Sequence, residues 1–355
     1  MTAPLSTPDR TPTRTTTTRT TTTRTTTTRR GVVGALGASV LLALAACGGP
    51  DDAAAGTSAT GGTSGGATRS VQTAFGAVDI PTEPRRVIAL EGAVGPLLGA
   101  GITPLATADG DYEDAFLPQE YEQVSDLPVV LGADGWDYER ISSLEPDLMI
   151  GFVRGGTTEE LSAEATATWE KLNAIAPTVL VRSDGSARTK DATLEMSHVL
   201  GDGDDADRAK AAYDAKAAQI RTDYADVLAG NVFAPLDFYE EVTVYSPISW
   251  PGDTVVDAGG TLTAVSRDIT DENAAFLSAE QLGTVTDATA VLYEQSLDGE
   301  PGVGAAEMMA LPTWQQLPAV RDGHAYGLRY FFADRYETAL VALEDFEEAL
   351  VAMRG

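Results

Sequence analysis

Residues 204–228 read DDADRAKAAYDAKAAQIRTDYADVL. Tyr213, Ala217, Ile220, Tyr224 and Val227 fall at i, i+4, i+7, i+11 and i+14, which is one apolar stripe of an amphipathic helix. No Gly or Pro interrupts the pattern; Gly201 and Gly203 precede it and Gly230 follows it. A helix of this length is a stiff rod. It divides the chain into two parts, each of which needs a core of its own.

Outward from the rod, both flanks alternate between short apolar runs and helical patterns. Upstream, Val87-Ile88-Ala89-Leu90 follows the punctuation of Pro81 and Pro84 and reads as a buried strand. Further strands are predicted over 104–106, 129–131, 148–150 and 178–181. Helices are predicted over 93–99, closed by Gly101, over 137–144 with Asp137 as its cap, and over 159–175. Downstream, strands are predicted over 236–239, 242–245, 290–293 and 324–328. A closing helix over 335–353 carries Leu340, Leu343, Phe346 and Leu350 on one face. Strands alternating with helices predict parallel sheets. The fold expected is α/β: two Rossmann-like lobes joined by a single long rigid helix, with a ligand cleft between them.

The totals narrow the function. The 355 residues allow two modest domains, and 43% apolar residues suffice for real cores. A net charge of −29 argues against nucleic acid as a partner, because phosphate binding needs a basic face. Cys47 is the one cysteine, so neither an internal disulfide nor a Cys-based metal site can form. His198 lies in a helical stretch and His324 opens a strand; both read as structural, and a His-rich metal site is not expected. No G-x-S-x-G, S-x-x-K, H-E-x-x-H or Walker-type string is present, which weighs against an exported hydrolase.

The first seventy residues differ from the rest. Arg14, Arg19, Arg24 and Arg29 are separated by runs of four threonines, a low-complexity pattern that cannot build a core. Residues 31–46 are small or apolar throughout, and a basic region before a short apolar run is the layout of an export signal. The run falls short of the roughly 20 residues of a spanning helix. It ends in Leu44-Ala45-Ala46-Cys47, which matches the bacterial lipobox, with Cys47 as the lipidated residue. Arg29-Arg30 lacks the polar and aromatic flanks of a twin-arginine signal, so Sec export is expected. Residues 48–70 are mostly Gly, Ser, Thr, Ala and Asp and read as a flexible tether. The organisation expected is a signal peptide over 1–46, lipidated Cys47 and linker over 47–70, an N-terminal lobe over 71–203, the connecting helix over 204–229 and a C-terminal lobe over 230–355. The product is then exported and lipid-anchored to the outer face of the cytoplasmic membrane.

Three strings carry a resemblance. They are Gly76-Ala77-Val78-Asp79-Ile80-Pro81 with Pro84-Arg85-Arg86-Val87-Ile88-Ala89-Leu90; Glu139-Arg140-Ile141-Ser142-Ser143-Leu144-Glu145-Pro146-Asp147-Leu148-Met149-Ile150; and Trp314-Gln315-Gln316-Leu317-Pro318-Ala319-Val320-Arg321-Asp322-Gly323. In this order, behind a lipobox and around a long helix, they resemble the iron–siderophore and vitamin B12 type substrate-binding lipoproteins of ABC importers. The resemblance spans about residues 71–355. It implies the class III periplasmic-binding-protein fold, small closure on ligand, and capture of a ferric siderophore with no bond made or broken. The iron arrives inside its chelate, so no protein cofactor and no direct metal ligand is expected.

The resemblance also implies site residues. A bulky ferric chelate needs fixed Arg donors for metal-bound oxygens and aromatic walls for packing. Arg154 follows the expected strand Leu148 to Phe152, in a strand-to-helix loop beside Phe152, and Arg329 stands with Tyr330, Phe331 and Phe332 after the strand over 324–328. Arg267 lies in a loop that reaches the ligand in relatives, and Trp250 and Trp136 lie in turn-rich segments. Some hydroxamate-binding relatives carry an Arg near the Trp136 segment, and this chain has none there. Glu139 and Glu280 sit where the family places one acidic permease-docking residue per lobe. The partners implied are a ferric siderophore, ABC permease subunits and the membrane through the lipid; a monomer is expected, because the cleft and both docking edges must stay free. Haem, cobalamin or another metal chelate is the alternative cargo, with Tyr330 as the one placeable haem ligand. An exported hydrolase and a surface adhesion lipoprotein are the readings from other classes.

Overall fold

The first lobe starts from a staple between two of those strings. The Asp147 carboxylate accepts the backbone N–H of Arg85 at 2.9 Å and of Arg86 at 3.0 Å, while the Asp147 N–H donates to the Arg86 carbonyl at 2.8 Å. This fixes the register of two adjacent parallel strands, Val87–Ala89 and Leu148–Gly155. The sheet order is Ala106–Thr107, Val87–Ala89, Leu148–Gly155, Thr178–Asp184, parallel throughout. Val87, Ile88, Leu148, Met149, Ile150 and Val179 are fully buried, which is why these runs are apolar without alternation. The structure, a computed structural model, describes residues 67–108, 113–132, 135–155 and 160–355. Cys47, the lipobox and the Thr/Arg segment lie outside the described residues.

Most of the predicted helices form. Tyr138–Ser143 is capped by Asp137, whose carboxylate accepts the Arg140 N–H at 2.9 Å. Ala163–Asn173 starts at the cap Ser162. The run over 129–131 does not join the sheet as a strand: Val129 makes only an isolated bridge to Thr107, and Leu131–Gly132 forms a small hairpin with Gly135–Trp136. An antiparallel hairpin of Thr68–Thr73 and Gly76–Pro81 precedes the sheet, and Val71, Val78 and Ile80 bury themselves in the lobe core.

The rod runs from Gly203 to Asp223, 21 residues, or roughly 30 Å at about 1.5 Å per residue. It does not reach residue 229 in one piece. Tyr224 leaves the helical region, and a separate helix, Ala225–Gly230, follows. Arg354 accounts for the break: its guanidinium donates to the Asp223 carbonyl, which would otherwise serve the helix ladder, and lies 4.6 Å from the Tyr224 ring. Tyr213, Ala217 and Ile220 are buried. The rod packs against Thr189–Leu200 from the first lobe and Tyr336–Arg354 from the second.

The second lobe holds a mixed sheet in the order Ala274–Leu277, Glu241–Tyr245, Val232–Tyr239, Ala290–Glu294, Ala325–Leu328, with Thr261–Leu262 beside Val232–Tyr239. Its last three strands pair in parallel, as the alternation predicts. The first three are antiparallel: Glu240 (φ 62°) closes the tight hairpin between Val232–Tyr239 and Glu241–Tyr245, and Ala274–Leu277 pairs antiparallel on the outer edge. Trp314, Leu317 and Ala319 of the third string are buried in this lobe's core. All described residues belong to one compact unit, Thr63–Gly355. Among them no helix is long and apolar enough to cross a membrane.

The lobes are tied directly as well as through the rod. Ser186 N–H donates to Asn273 Oδ1 at 2.8 Å, Ala187 N–H to the Ile248 carbonyl at 3.0 Å, and Thr193 Oγ1 to the Asp334 carbonyl at 3.0 Å. Tyr336 OH donates to Asp191 Oδ1 at 2.6 Å. Lys190, 6% exposed, reaches Asp253 of the helix Trp250–Asp257 at 2.6 Å.

Candidate ligand-binding site

Two cavities open along the carboxyl ends of the first lobe's strands, where open parallel sheets bind ligands. One is a trough of about 270 Å³ between the lobes. Its walls include Phe152, Arg154 and Glu91 from the first lobe and Trp250, Phe332 and Asp334 from the second. The other is a chamber of about 510 Å³ lined by first-lobe residues alone, among them Leu131, Trp136, Val153, Leu172 and Leu180. Glu91, Phe152 and Arg154 line both cavities, so the two adjoin there.

Arg154 stands where the two adjoin, not in a loop as expected but inside the strand Leu148–Gly155, paired with Ser183. Its Nε donates to Glu91 Oε1 at 3.0 Å, and its Nη2 also meets Glu91. The guanidinium carbon lies 5.2 Å from the centroids of both Phe152 and Trp250. Arg154 and Glu91 remain 47% and 42% exposed, so the pair contributes little to stability and is free to reorganise around a ligand. Phe152 keeps its place because Gly92 has no side chain: a Cβ there would fall 2.4 Å from the Phe152 ring, and the φ of 74° also suits glycine.

The aromatic wall of the second lobe is braced. Trp250 is the first residue of its helix, which Ser249 caps, and its N–H donates to Ser186 Oγ at 3.2 Å. Its ring meets Phe332 edge-on at 5.7 Å, and Phe332 in turn meets Tyr245 at 5.8 Å and Phe331 at 5.1 Å. The indole Nε1 of Trp250 is buried without a hydrogen-bond partner. Burial pushes the Asp334 carboxyl above the ordinary carboxylate range, against the pull of Arg335.

The sequence-predicted residues divide clearly. Trp250 lines the trough, Trp136 the chamber, and Arg154 both. Arg329 lines neither; its Nε and Nη2 grip the Asp345 carboxylate at 3.0 and 2.6 Å, and that fork raises its pKa. Tyr330, in the left-handed region at φ 50°, is buried; its hydroxyl donates to the Phe116 carbonyl at 3.2 Å and burial raises its pKa. Arg267 lies not in a loop but in the short helix Ala264–Asp268, exposed and away from both cavities. Glu139 in Tyr138–Ser143 and Glu280 before the turn Gln281–Thr284 are both exposed. Hydrogen bonds from its own backbone N–H and from Ser278 hold Glu280 below the usual range, hence charged. Phe152 and Phe332, which the sequence reading sets beside Arg154 and Arg329, line the trough, while Glu91 and Asp334 are lining residues that it does not name. Glu91 directly follows the run ending at Leu90, and the rule that ligands sit beyond parallel strand ends would have found it.

Among the described residues no group of three or more His, Cys, Asp or Glu side chains is arranged to hold a metal ion.

Comparison with known proteins gives a consistent picture. The family model described as periplasmic binding protein matches residues 94–330. The iron(3+)-hydroxamate-binding protein FhuD of Bacillus subtilis is 24% identical over 305 residues, covering 83% of this chain and 90% of that protein. The siderophore periplasmic binding protein from the fuscachelin gene cluster of Thermobifida fusca is 32% identical, with a TM-score of 0.68, covering 77% of this chain and 98% of that one. Staphylococcus aureus SirA, solved with staphyloferrin B, is 21% identical with a TM-score of 0.61, covering 80% and 99%, and shares the fold.

Proposed function

Because the chain belongs to the iron–siderophore family of periplasmic binding proteins, we propose that it is the extracytoplasmic component of an ABC importer that captures a ferric siderophore and hands it to the permease. Members of this family are substrate-binding proteins and not enzymes, so the chemistry is reversible capture. The observation that carries the cargo is the trough itself: one guanidinium, Arg154, framed by Phe152, Trp250 and Phe332. Aromatic faces pack the organic rim of a chelate, and the guanidinium donates to its iron-bound oxygens. Glu91 holds Arg154 in the meantime.

Trp136 and Trp250 line the two cavities, so binding changes tryptophan emission. A soluble form lacking residues 1–47, titrated with ferric siderophores, haem and cobalamin, should give saturable quenching with a ferric chelate and none with the iron-free chelator. Arg154→Ala should weaken that binding roughly tenfold to a hundredfold, the worth of a charge-assisted hydrogen bond. Absence of saturable quenching, with calorimetry also flat, would rule out the iron-chelate reading. Haem is the less favoured cargo: the Tyr330 hydroxyl is committed to Phe116, and its raised pKa opposes the phenolate that would ligate iron.

Glu139 and Glu280 are proposed as the permease contacts, one per lobe; the support is their exposure and charge. Glu139→Arg with Glu280→Arg should abolish siderophore-dependent growth while leaving chelate affinity within about twofold. Loss of affinity in the purified double variant would remove the docking assignment. Anchoring through Cys47 rests on the lipobox alone. Labelled palmitate should appear on the wild type and not on Cys47→Ser; equal labelling of both would exclude that anchor. A single copy is proposed as the working state.

A further inference from the structure

We infer that the first-lobe chamber is a separate subsite, which takes an apolar arm of the cargo while the chelate core stays in the trough. The inference rests on the siderophore reading above and adds a substrate class to it: an amphiphilic chelate carrying an acyl or comparable hydrocarbon appendage.

Three observations carry it. The chamber, about 510 Å³, is larger than the trough, about 270 Å³. Its walls are mainly hydrocarbon: Leu90, Leu131, Trp136, Val153, Leu172 and Leu180. An iron-bound oxygen cluster there would lose its hydration with few donors to replace it. The polar groups at its margin are Arg154, Glu91, Ser162, Thr168 and Glu164, where carboxylates outnumber the one cation. A chelate core therefore gains more in the trough. The cavities also adjoin, sharing Glu91, Phe152 and Arg154 as lining residues. An arm leaving a chelate packed on Phe152 and Trp250 has the chamber as its adjoining apolar space, beside the Arg154 guanidinium. A compact chelate would leave the apolar walls against water, and each methylene moved onto them is worth roughly fourfold in affinity.

The test uses the ferric complex of a linear trihydroxamate with a terminal amine, in its N-acetyl and N-hexanoyl forms. Both lack the amine charge, so they differ only in the length of the arm. The N-hexanoyl complex should bind at least tenfold more tightly. Ala165→Trp, which fills the chamber from the helix Ala163–Asn173 and stays clear of the trough, should erase that advantage and leave N-acetyl binding unchanged. Equal affinity of the two complexes for the wild type overturns the subsite. So does an advantage that survives Ala165→Trp. If Ala165→Trp weakens both complexes equally, the chamber holds the chelate core and the inference is wrong. If neither complex binds, and no other ferric chelate does, the siderophore reading fails and the subsite with it. Thermal unfolding of Ala165→Trp near the wild-type midpoint establishes that the variant is folded.

Discussion

Lys190→Met is expected to lower the free energy of unfolding by about 3–5 kcal/mol, the usual cost of breaking a buried ion pair from one side. The Lys190 ammonium lies 2.6 Å from Asp253 Oδ2, 3.2 Å from Tyr213 OH and 3.8 Å from Asp257 Oδ2. The Tyr213 ring is 4.6 Å away. Burial raises the Asp253 pKa even with Lys190 opposing it, and Asp257 raises it further. Without the ammonium, two carboxylates face each other beside a phenol, Tyr213, that burial and both carboxylates keep protonated far above its ordinary range. The sign of the pH dependence follows. A carboxylate whose folded pKa exceeds its unfolded one costs stability that builds as pH rises through the ordinary value of 3.8, is complete above the folded value, and vanishes below 3.8. The deficit of Lys190→Met should therefore be widest near neutrality and shrink on acidification. Denaturant melts followed by circular dichroism at both pH values read this directly, and adding Asp253→Asn should restore much of the loss. A change below about 1 kcal/mol at neutral pH, or a deficit that grows in acid, would refute the account.

Arg335→Met should cost a similar amount, about 3–5 kcal/mol, for a related reason. Arg335 is 6% exposed and its guanidinium pairs with Glu120 of the helix Pro118–Val124, across the lobes; Glu120 is 14% exposed. Methionine keeps the volume and strands Glu120 and the neighbouring Asp334. Glu120 retains one partner, the Leu117 N–H at 2.9 Å, so the helix start survives. Arg335 itself is imperfectly served: its Nη1 is buried without a hydrogen bond, pressed against Gly95 where a Cβ would fall 1.9 Å away. The pair is thus costly to assemble and costly to break. Arg335→Met with Glu120→Gln should recover more than half of the single-variant loss, because the uncompensated charge goes with its partner. Urea unfolding of the two singles and the double measures the coupling. Additive losses would mean that the two side chains do not act as a pair.

The parts legible in the sequence were those written as local patterns. The stripe Tyr213, Ala217, Ile220 declares the rod, the apolar run from Leu148 declares a central strand, and Asp137 declares a helix start. What escaped depends on partners distant in the chain. The break at Tyr224 comes from Arg354, and the occupation of Arg329 comes from Asp345 on the closing helix. Arg154 is bound to Glu91 from another strand end. The strands Thr68–Thr73 and Gly76–Pro81 bury Val71, Val78 and Ile80, and Phe75 in their turn stacks on Trp169, anchors too sparse in a polar stretch to mark strands by periodicity. Of the ligand-binding residues expected, Arg154, Trp250 and Trp136 converge on the cavities, while Arg329, Tyr330 and Arg267 do not. A lone Arg in a loop reads the same from sequence whether its fork is open or already filled.

The direct ties between the lobes bear on how a transporter tells a full carrier from an empty one. Ser186 to Asn273, Thr193 to Asp334 and Lys190 to Asp253 oppose wide hinge opening; with these ties kept, loading would leave the outline of the molecule nearly as it was. A receptor that felt only that outline would hold both forms equally, and equal affinity shifts no equilibrium. Empty carriers would then occupy the docking platform as long as loaded ones. Traffic through the importer would fall as carrier outnumbers cargo, and overproducing this protein under iron scarcity would slow uptake.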